Sequence, residues 1–405
     1  MTATSKPALL MLVHRIPYPP NKGDKIRSFN LLKNLSQQYR IYLACFVDDP
    51  YDEQYIGELN HWCAEVCCIR LSKKQAMLRG LTAFISNKAV TLPYYYDAAM
   101  QRWINSKITQ QHISQVLVYS SAMAQYVQHN PALTTKVIDF VDIDSDKWLQ
   151  YSRRSQGIKR WFYRREARLL QRYEIEICQQ FNKSLFVSED EASAFRQLLP
   201  KMVHSKVHSL SNGVDIEYFD PLADLPDAEL KLPADYLVFT GAMDYWANVD
   251  AVCWFCREVW PTLRQHYPRL HFLIVGGNPH ADVKALSQFA GVIVTGRVAD
   301  VRPYLHAALF AVAPMLIARG IQNKVLEAMA MNKAVICTPM AMEGINAPLT
   351  AHTQIADNAN SFTALCLSML ATPSQNNVNR QWVIQHFSWQ YTLSLLSRFI
   401  TAEAA

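Results

Sequence analysis

Lys324 and Glu327 lie three residues apart in "GIQNKVLEAMA" (320–330), behind a glycine and at the start of an apolar helical pattern. A helix opening there presents the amides of Ile321, Gln322 and Asn323 with no intrahelical partner and with partial positive charge, and Gly320 lets the backbone turn tightly against a ligand. Lys324 adds a full charge one turn in, which suits a diphosphate. Glu327 falls on the same helix face and can accept hydrogen bonds from a vicinal diol such as ribose. The two residues fit equally well a solvated pair on an amphipathic helix whose Leu326, Met329 and Ala330 are core, and spacing alone does not choose between these readings.

Three other stretches carry charge in useful places. "HRIPYPPNKGDKIRS" (14–28) has the prolines and the glycine, Gly23, of a long loop, and offers Asp24, Lys25 and Arg27 as ligand contacts; Asp24 fits an N-cap as well. "DFVDIDSDKW" gathers Asp139, Asp142, Asp144 and Asp146. Four carboxylates invite a divalent cation, but alternating strand residues point to opposite faces, so they do not all converge. "RRSQGIKRWFYRREARLLQR" (153–172) sets eight basic residues against one acid. Its Lys159, Arg160, Trp161, Arg164 and Arg165 suit an anionic membrane surface or a lipid diphosphate; a solvated helix packed by its apolar stripe is the other reading.

The elements that must position these residues alternate. Near-continuous apolar runs at 8–14, 41–47, 115–121, 136–142 and 183–189 read as strands covered on both faces, with helical stretches such as "DKIRSFNLLKNLSQQY" between them. A second series runs from "DYLVFTGAM" (235–243) through "LHFLIVGGNP", "GVIVTGRV" and "FAVAPM" to "AVICTP". Alternation of this kind implies parallel sheets with helices on both sides, and ligands then sit beyond the carboxyl ends of the strands. The glycine-bearing loops there, Gly241 of "FTGAMDYWAN" among them, are the places to look. The Pro- and Asp-rich stretch 216–234 reads as a linker, dividing an N-terminal domain (1–215) from a C-terminal one (235–385) with a terminal helix (386–405).

Bulk properties agree. At 405 residues the chain exceeds what one hydrophobic core serves, so two domains are expected. Half of the residues are apolar and 18% charged, which excludes a disordered chain, and a net charge of +6 is too weak and too spread to indicate nucleic acid. The nine cysteines have no framework spacing and read as reduced thiols of a cytosolic protein; "CWFC" lacks a second pair of metal ligands. No apolar run is long enough to span a bilayer, and "ALLMLV" is too short for a secretory signal.

Taken together, "SNGVDIEYF", "TGAMDYWAN", "VTGRVADVRPYL", "GIQNKVLEAMAMNKAVICT" and "FSWQ" resemble family 4 of the retaining glycosyltransferases, with the closest likeness to the sugar transferases of PEP-CTERM and exosortase loci in exopolysaccharide synthesis. The resemblance covers nearly the whole chain. It implies the α/β GT-B fold: two Rossmann-like domains facing across a cleft, and a C-terminal helix crossing back to the first. It also implies transfer from a UDP- or GDP-sugar to a glycan or polyprenyl-diphosphate-linked acceptor, without metal or cofactor, by an enzyme in the cytoplasm or on the inner membrane face. Lys324 then matches the diphosphate-binding lysine and Glu327 the ribose-binding glutamate. The loop with Gly23 matches one covering the donor diphosphate, and Asp142 or Asp144 stands where relatives place a sugar-facing histidine.

The chain departs from the pattern at Arg319, where many members have a glutamate touching the donor sugar, and at Ala242 and Ala247, which replace phosphate-holding basic residues. Arg297, Arg319 and Lys324 are then expected to meet the phosphate charge, arginine through paired hydrogen bonds. These departures keep two other readings open, a GT-B sugar-nucleotide epimerase and a degenerate nucleotide-sugar-binding scaffold.

Overall fold

The apolar runs become parallel strands flanked by helices. The computed structural model describes residues 6–400 apart from 21–22, 154, 319–320, 351 and 373–377. It divides into two compact units, Met1–Ser211 with Leu393–Ala405, and Asn212–Thr392. The stretch 216–234 lies within the second, where Arg380 donates to the carbonyl oxygens of Ile216 (3.1 Å), Phe219 (2.6 Å) and Ala330 (2.7 Å).

In the first unit the strands are β1 (Ala8–Val13), β2 (Arg40–Val47), β3 (Cys63–Arg70), β4 (Gln115–Tyr119), β5 (Thr135–Val141), β6 (Lys183–Phe186) and β7 (Val207–Ser209). They pair in parallel in the order β3-β2-β1-β4-β5-β6-β7. Leu10, Phe46, Val118, Ile138 and Phe186 are fully buried between sheet and helices, as runs covered on both faces must be.

The second unit repeats the plan with β8 (Tyr236–Thr240), β9 (His271–Val275), β10 (Val292–Gly296), β11 (Phe310–Ala313), β12 (Val335–Cys337) and β13 (Thr353–Ile355), ordered β10-β9-β8-β11-β12-β13. Phe239, Phe255, Trp260 and Phe272 fill its core. Both sheets are thus wound outward in two directions from a central strand, β1 in one and β8 in the other. The winding reverses between β1 and β4 and between β8 and β11, and crevices for ligands open at such points beyond the strands' carboxyl ends.

The helix Trp389–Ile400 serves both units in sequence. Trp389 lies so close to Gly213 that a Cβ there would stand 2.6 Å from its Cα. From Leu393 on the helix belongs to the first unit: the Phe399 ring lies 4.7 Å from that of His208, and Gln115 donates to the Ile400 carbonyl at 3.4 Å.

Candidate functional site

In the second unit, Gly241 directly follows β8 and the helix Asn323–Ala330 follows the loop after β11, so both arrive at the reversal point of the sheet. Lys324 Nζ donates to Asn248 Oδ1 at 2.6 Å, lies 3.5 Å from Gln322 Oε1 and 3.6 Å from Met315 Sδ, and sits 4.9 Å from the Phe239 ring centroid. Asn248 is itself buried and held by its other end, Nδ2 donating to the Ala242 carbonyl at 2.9 Å. The loop bearing Met315 is fixed by Thr338, whose hydroxyl donates to the Met315 carbonyl at 2.6 Å. Burial draws the Lys324 ammonium down to about 8, with Glu327 pulling the other way. Burial likewise pushes the Glu327 carboxyl up to about 7, against the pull of Lys324. A charged pair kept short of compensation is the state that an anionic ligand completes.

Glycines make this close approach possible. A Cβ on Gly241 would stand 2.8 Å from Asn248 Nδ2 and 3.5 Å from Lys324 Cε, and one on Gly276 would overlap the Gly241 carbonyl. Exposed Arg297 reaches the same edge, its Nε 3.6 Å from where a Gly277 Cβ would be. Arg297, Gly241 and Lys324 are therefore strung along one rim through Gly276, Gly277 and Asn248. Ile321, Gln322 and Asn323 lead into the helix, with Gln322 at its N-cap. Arg319 and Gly320 lie outside the described residues.

The first unit assembles a second cluster at its own reversal point. His14 and Arg15 leave β1, Tyr119 ends β4, and Asp142 and Asp144 follow β5. Arg15 pairs with Asp24 at 2.6 Å and with Asp48 at 2.9 Å, and His14 Nε2 lies 3.7 Å from Asp24 Oδ2. The His14 ring stacks on Tyr119 at 5.8 Å and meets the edge of Tyr95 at 6.0 Å. Burial lowers its pKa, more than Asp24 raises it. Lys147 bridges Asp142 at 2.9 Å and Asp144 at 3.4 Å, and Ser121 donates to Asp144 at 3.2 Å. Two buried or half-buried glutamates hold this loop, Glu174 accepting from Ser145 N and Oγ and Glu191 from Ile143 N.

Backbone strain marks the same edge. Ser120 has φ 79° and Val141 φ 69°, the latter in a region that a β-branched residue adopts only when its surroundings impose it. Both follow or end central strands.

Two expected ligand contacts are corrected. Lys25 is buried and paired with Asp52 at 2.7 Å, and Arg27 is buried with its Nε donating to fully buried Asp139 at 2.7 Å. The reason is helical phase: in the helix Gly23–Gln38, positions 25, 28, 32 and 27, 31, 35 turn toward the protein, and two carboxylates there receive the charges. Asp24 is left at the rim, with Gly23 exposed ahead of it. Asp139 is thereby fully buried, while Asp142 and Asp144 stay half-exposed. His14 and Asn248 escaped the sequence reading; a histidine directly after the first strand, and a polar residue in the first turn after a strand–glycine loop, were the available signals.

The basic stretch is solvent-facing in part. Lys159, Arg160, Trp161 and Arg164 are exposed near the start of the helix Gly157–Gln180, and half-buried Arg165 donates to the Ala83 carbonyl at 2.8 Å. Cys253 and Cys256 are buried in the second core. Among the described residues no helix is long and apolar enough to cross a membrane.

Comparison with known proteins places this geometry. Residues 234–371 match the family described as glycosyl transferases group 1, so the unit holding Lys324 carries such a domain. No curated protein matches by sequence. Among solved structures, sucrose-phosphate synthase from Thermosynechococcus elongatus superposes with a TM-score of 0.65 at 15% identity, over 97% of this chain and 98% of the other. A glycosyltransferase from Rickettsia africae gives 0.64 at 16%, over 98% and 100%. Anabaena HepE in complex with UDP-glucose gives 0.61 at 13%, over 96% and 99%. At such identities the likeness is one of fold, and it is the α/β GT-B class expected from the sequence.

Proposed function

We propose that the chain is a glycosyltransferase that takes a sugar from a nucleoside diphosphate and delivers it, with retention and without metal, to a hydroxyl of a glycan or lipid-linked acceptor in polysaccharide assembly. The observation that carries this reading is Lys324: a half-buried ammonium held by an uncharged amide, at the reversal point of a sheet in a glycosyl transferases group 1 domain. A diphosphate adds negative charge beside an ammonium that burial disfavours, and Glu327 accepts the ribose hydroxyls one turn further on. HepE, of the same fold, holds UDP-glucose, which supports a nucleotide sugar as donor.

In the reaction the bond between the anomeric carbon and the diphosphate oxygen breaks while the acceptor oxygen bonds to that carbon, and the acceptor proton passes to the departing diphosphate. Lys324, the helix amides and Arg297 stabilise the charge that develops on the leaving group, so no strong protein base is needed. Asp142, Asp144 and His14 in the first unit are assigned to holding the sugar and acceptor hydroxyls. Arg319, five residues before Lys324 in sequence, is assigned to the phosphates.

The test is donor consumption over a panel of UDP-, GDP- and ADP-sugars with a polyprenyl-diphosphate sugar acceptor. Acceptor-dependent nucleotide release that is lost in Lys324→Ala and Glu327→Ala is expected. Tight nucleotide binding without turnover across varied acceptors, or full activity in both variants, would refute it.

A further inference from the structure

The helix Lys73–Ile85 carries its apolar side chains on the wrong side for a protein core. Its buried residues are the small ones, Ala76, Gly80 and Ala83. Met77, Leu78, Leu81 and Ile85 stand 64%, 66%, 60% and 92% exposed. A surface helix ordinarily does the reverse, turning large apolar groups inward. Small residues let this one lie close to the chain that follows it: a Cβ on Gly80 would come within 2.9 Å of Val90 Cγ1. A contiguous apolar face of this kind marks a surface that something else covers.

The start of the helix Gly157–Gln180 extends the same face. Ile158 is 82% and Trp161 57% exposed, and the Trp161 ring stacks 6.3 Å from that of Phe84. Arg165 donates to the Ala83 carbonyl and sits 4.6 Å above the Phe84 ring. Buried Glu166 accepts from Val90 N at 2.7 Å, Thr91 N at 2.9 Å and Thr91 Oγ1 at 2.7 Å. These ties at the exit of one helix and the entry of the other make them a single surface.

Charge identifies the occupant. Residues 73–88 contain Lys73, Lys74, Arg79 and Lys88, residues 157–165 contain Lys159, Arg160, Arg164 and Arg165, and neither stretch contains an acid. A second copy of the chain would bring the same positive charge against this one and be repelled. An apolar face rimmed by cations is the complement of a layer with anionic headgroups above acyl chains.

We propose that the helix Lys73–Ile85 and the start of the helix Gly157–Gln180 dock together on an anionic phospholipid surface. Met77, Leu78, Leu81, Ile85 and Ile158 enter the acyl boundary, Trp161 lies at headgroup level, and exposed Lys73, Lys74, Lys88, Lys159, Arg160 and Arg164 meet lipid phosphates, while Arg79 stays paired with Asp97 and Arg165 with the Ala83 carbonyl. The sequence draws attention to the basic helix, but the apolar contact comes from a helix with no acid and an unremarkable pattern.

The experiment sediments the purified chain with vesicles of phosphatidylglycerol and phosphatidylcholine, and of phosphatidylcholine alone. Binding to the anionic vesicles is expected, weakening as salt is raised. Leu81→Asp with Ile85→Asp should lower it by about tenfold or more at unchanged melting temperature, since both side chains are exposed. Lys159→Glu with Arg160→Glu should weaken binding to anionic vesicles and leave binding to neutral ones unaltered. Undiminished binding by the aspartate variant would overturn the proposal. So would a wild-type dimer that the aspartate variant splits while neither binds vesicles. Binding is read without any sugar moving, so its failure and a failure of transfer are seen separately.

Discussion

Donor binding should move protons, and in opposite directions on either side of pH 7.5. In the free site Lys324 titrates at about 8 and Glu327 at about 7, both displaced by burial. A bound diphosphate holds the lysine protonated, and ribose hydroxyls hold the glutamate ionised. At pH 8 the free lysine is about half protonated and the free glutamate about nine-tenths ionised, so binding takes up about 0.4 of a proton. At pH 7 the lysine is about nine-tenths protonated and the glutamate half, so about 0.4 is released. A nucleotide sugar is a diphosphate diester with no proton of its own to exchange in this range, which makes UDP-glucose a clean probe. Calorimetry in buffers of different ionisation enthalpy reads the exchange directly. Lys324→Met should abolish uptake at pH 8 and keep release at pH 7, and Glu327→Gln should do the converse. Binding enthalpies independent of buffer at both pH values would show that these two groups do not meet the ligand.

Other expectations follow from named contacts. Arg27→Met leaves Asp139 buried and unpaired, at a cost of about 3–5 kcal/mol, visible in calorimetry as a lowered melting temperature, and adding Asp139→Leu should recover most of it. Gly241→Ala sets a methyl 2.8 Å from buried Asn248 Nδ2 and 3.5 Å from Lys324 Cε at a backbone φ of 155° that side chains rarely adopt; nucleotide affinity measured by titration should fall about tenfold and the melting temperature should fall as well. Asn248→Leu removes the amide that Lys324 holds at 2.6 Å, so the free lysine should titrate lower still and proton uptake at pH 8 should rise.

The central strands β1, β2, β4, β5, β6, β8, β9, β11 and β12 were legible because burial on both faces leaves an uninterrupted apolar run, and β10, though half-exposed at the edge of its sheet, was expected too because it keeps such a run. β3, β7 and β13 were not. All three are edge strands: β3 is mostly half-exposed and mixes Glu65 and Arg70 with apolar residues, and the other two have three residues each. The Lys324–Glu327 spacing was readable because a helix imposes it locally. The partners of Lys25 and Arg27 were not, since Asp52 and Asp139 lie 27 and 112 residues away and only the tertiary fold brings them in. His14 was hidden for a related reason: its setting consists of Tyr95, Tyr119 and Asp24, which arrive from three other segments.

The helix Trp389–Ile400 gives the two units different histories on the ribosome. The second unit is one unbroken run of chain, Asn212–Thr392, whereas the first needs residues from Leu393 onward, among them fully buried Leu396 and Ile400. Residues 1–211 therefore emerge first and must wait while the whole second unit is made, roughly 10–40 seconds at common bacterial synthesis rates. During that interval an apolar seam stays uncovered and is open to a chaperone. The unit that starts first finishes last, and premature stops anywhere in the second unit leave the first one unsealed as well.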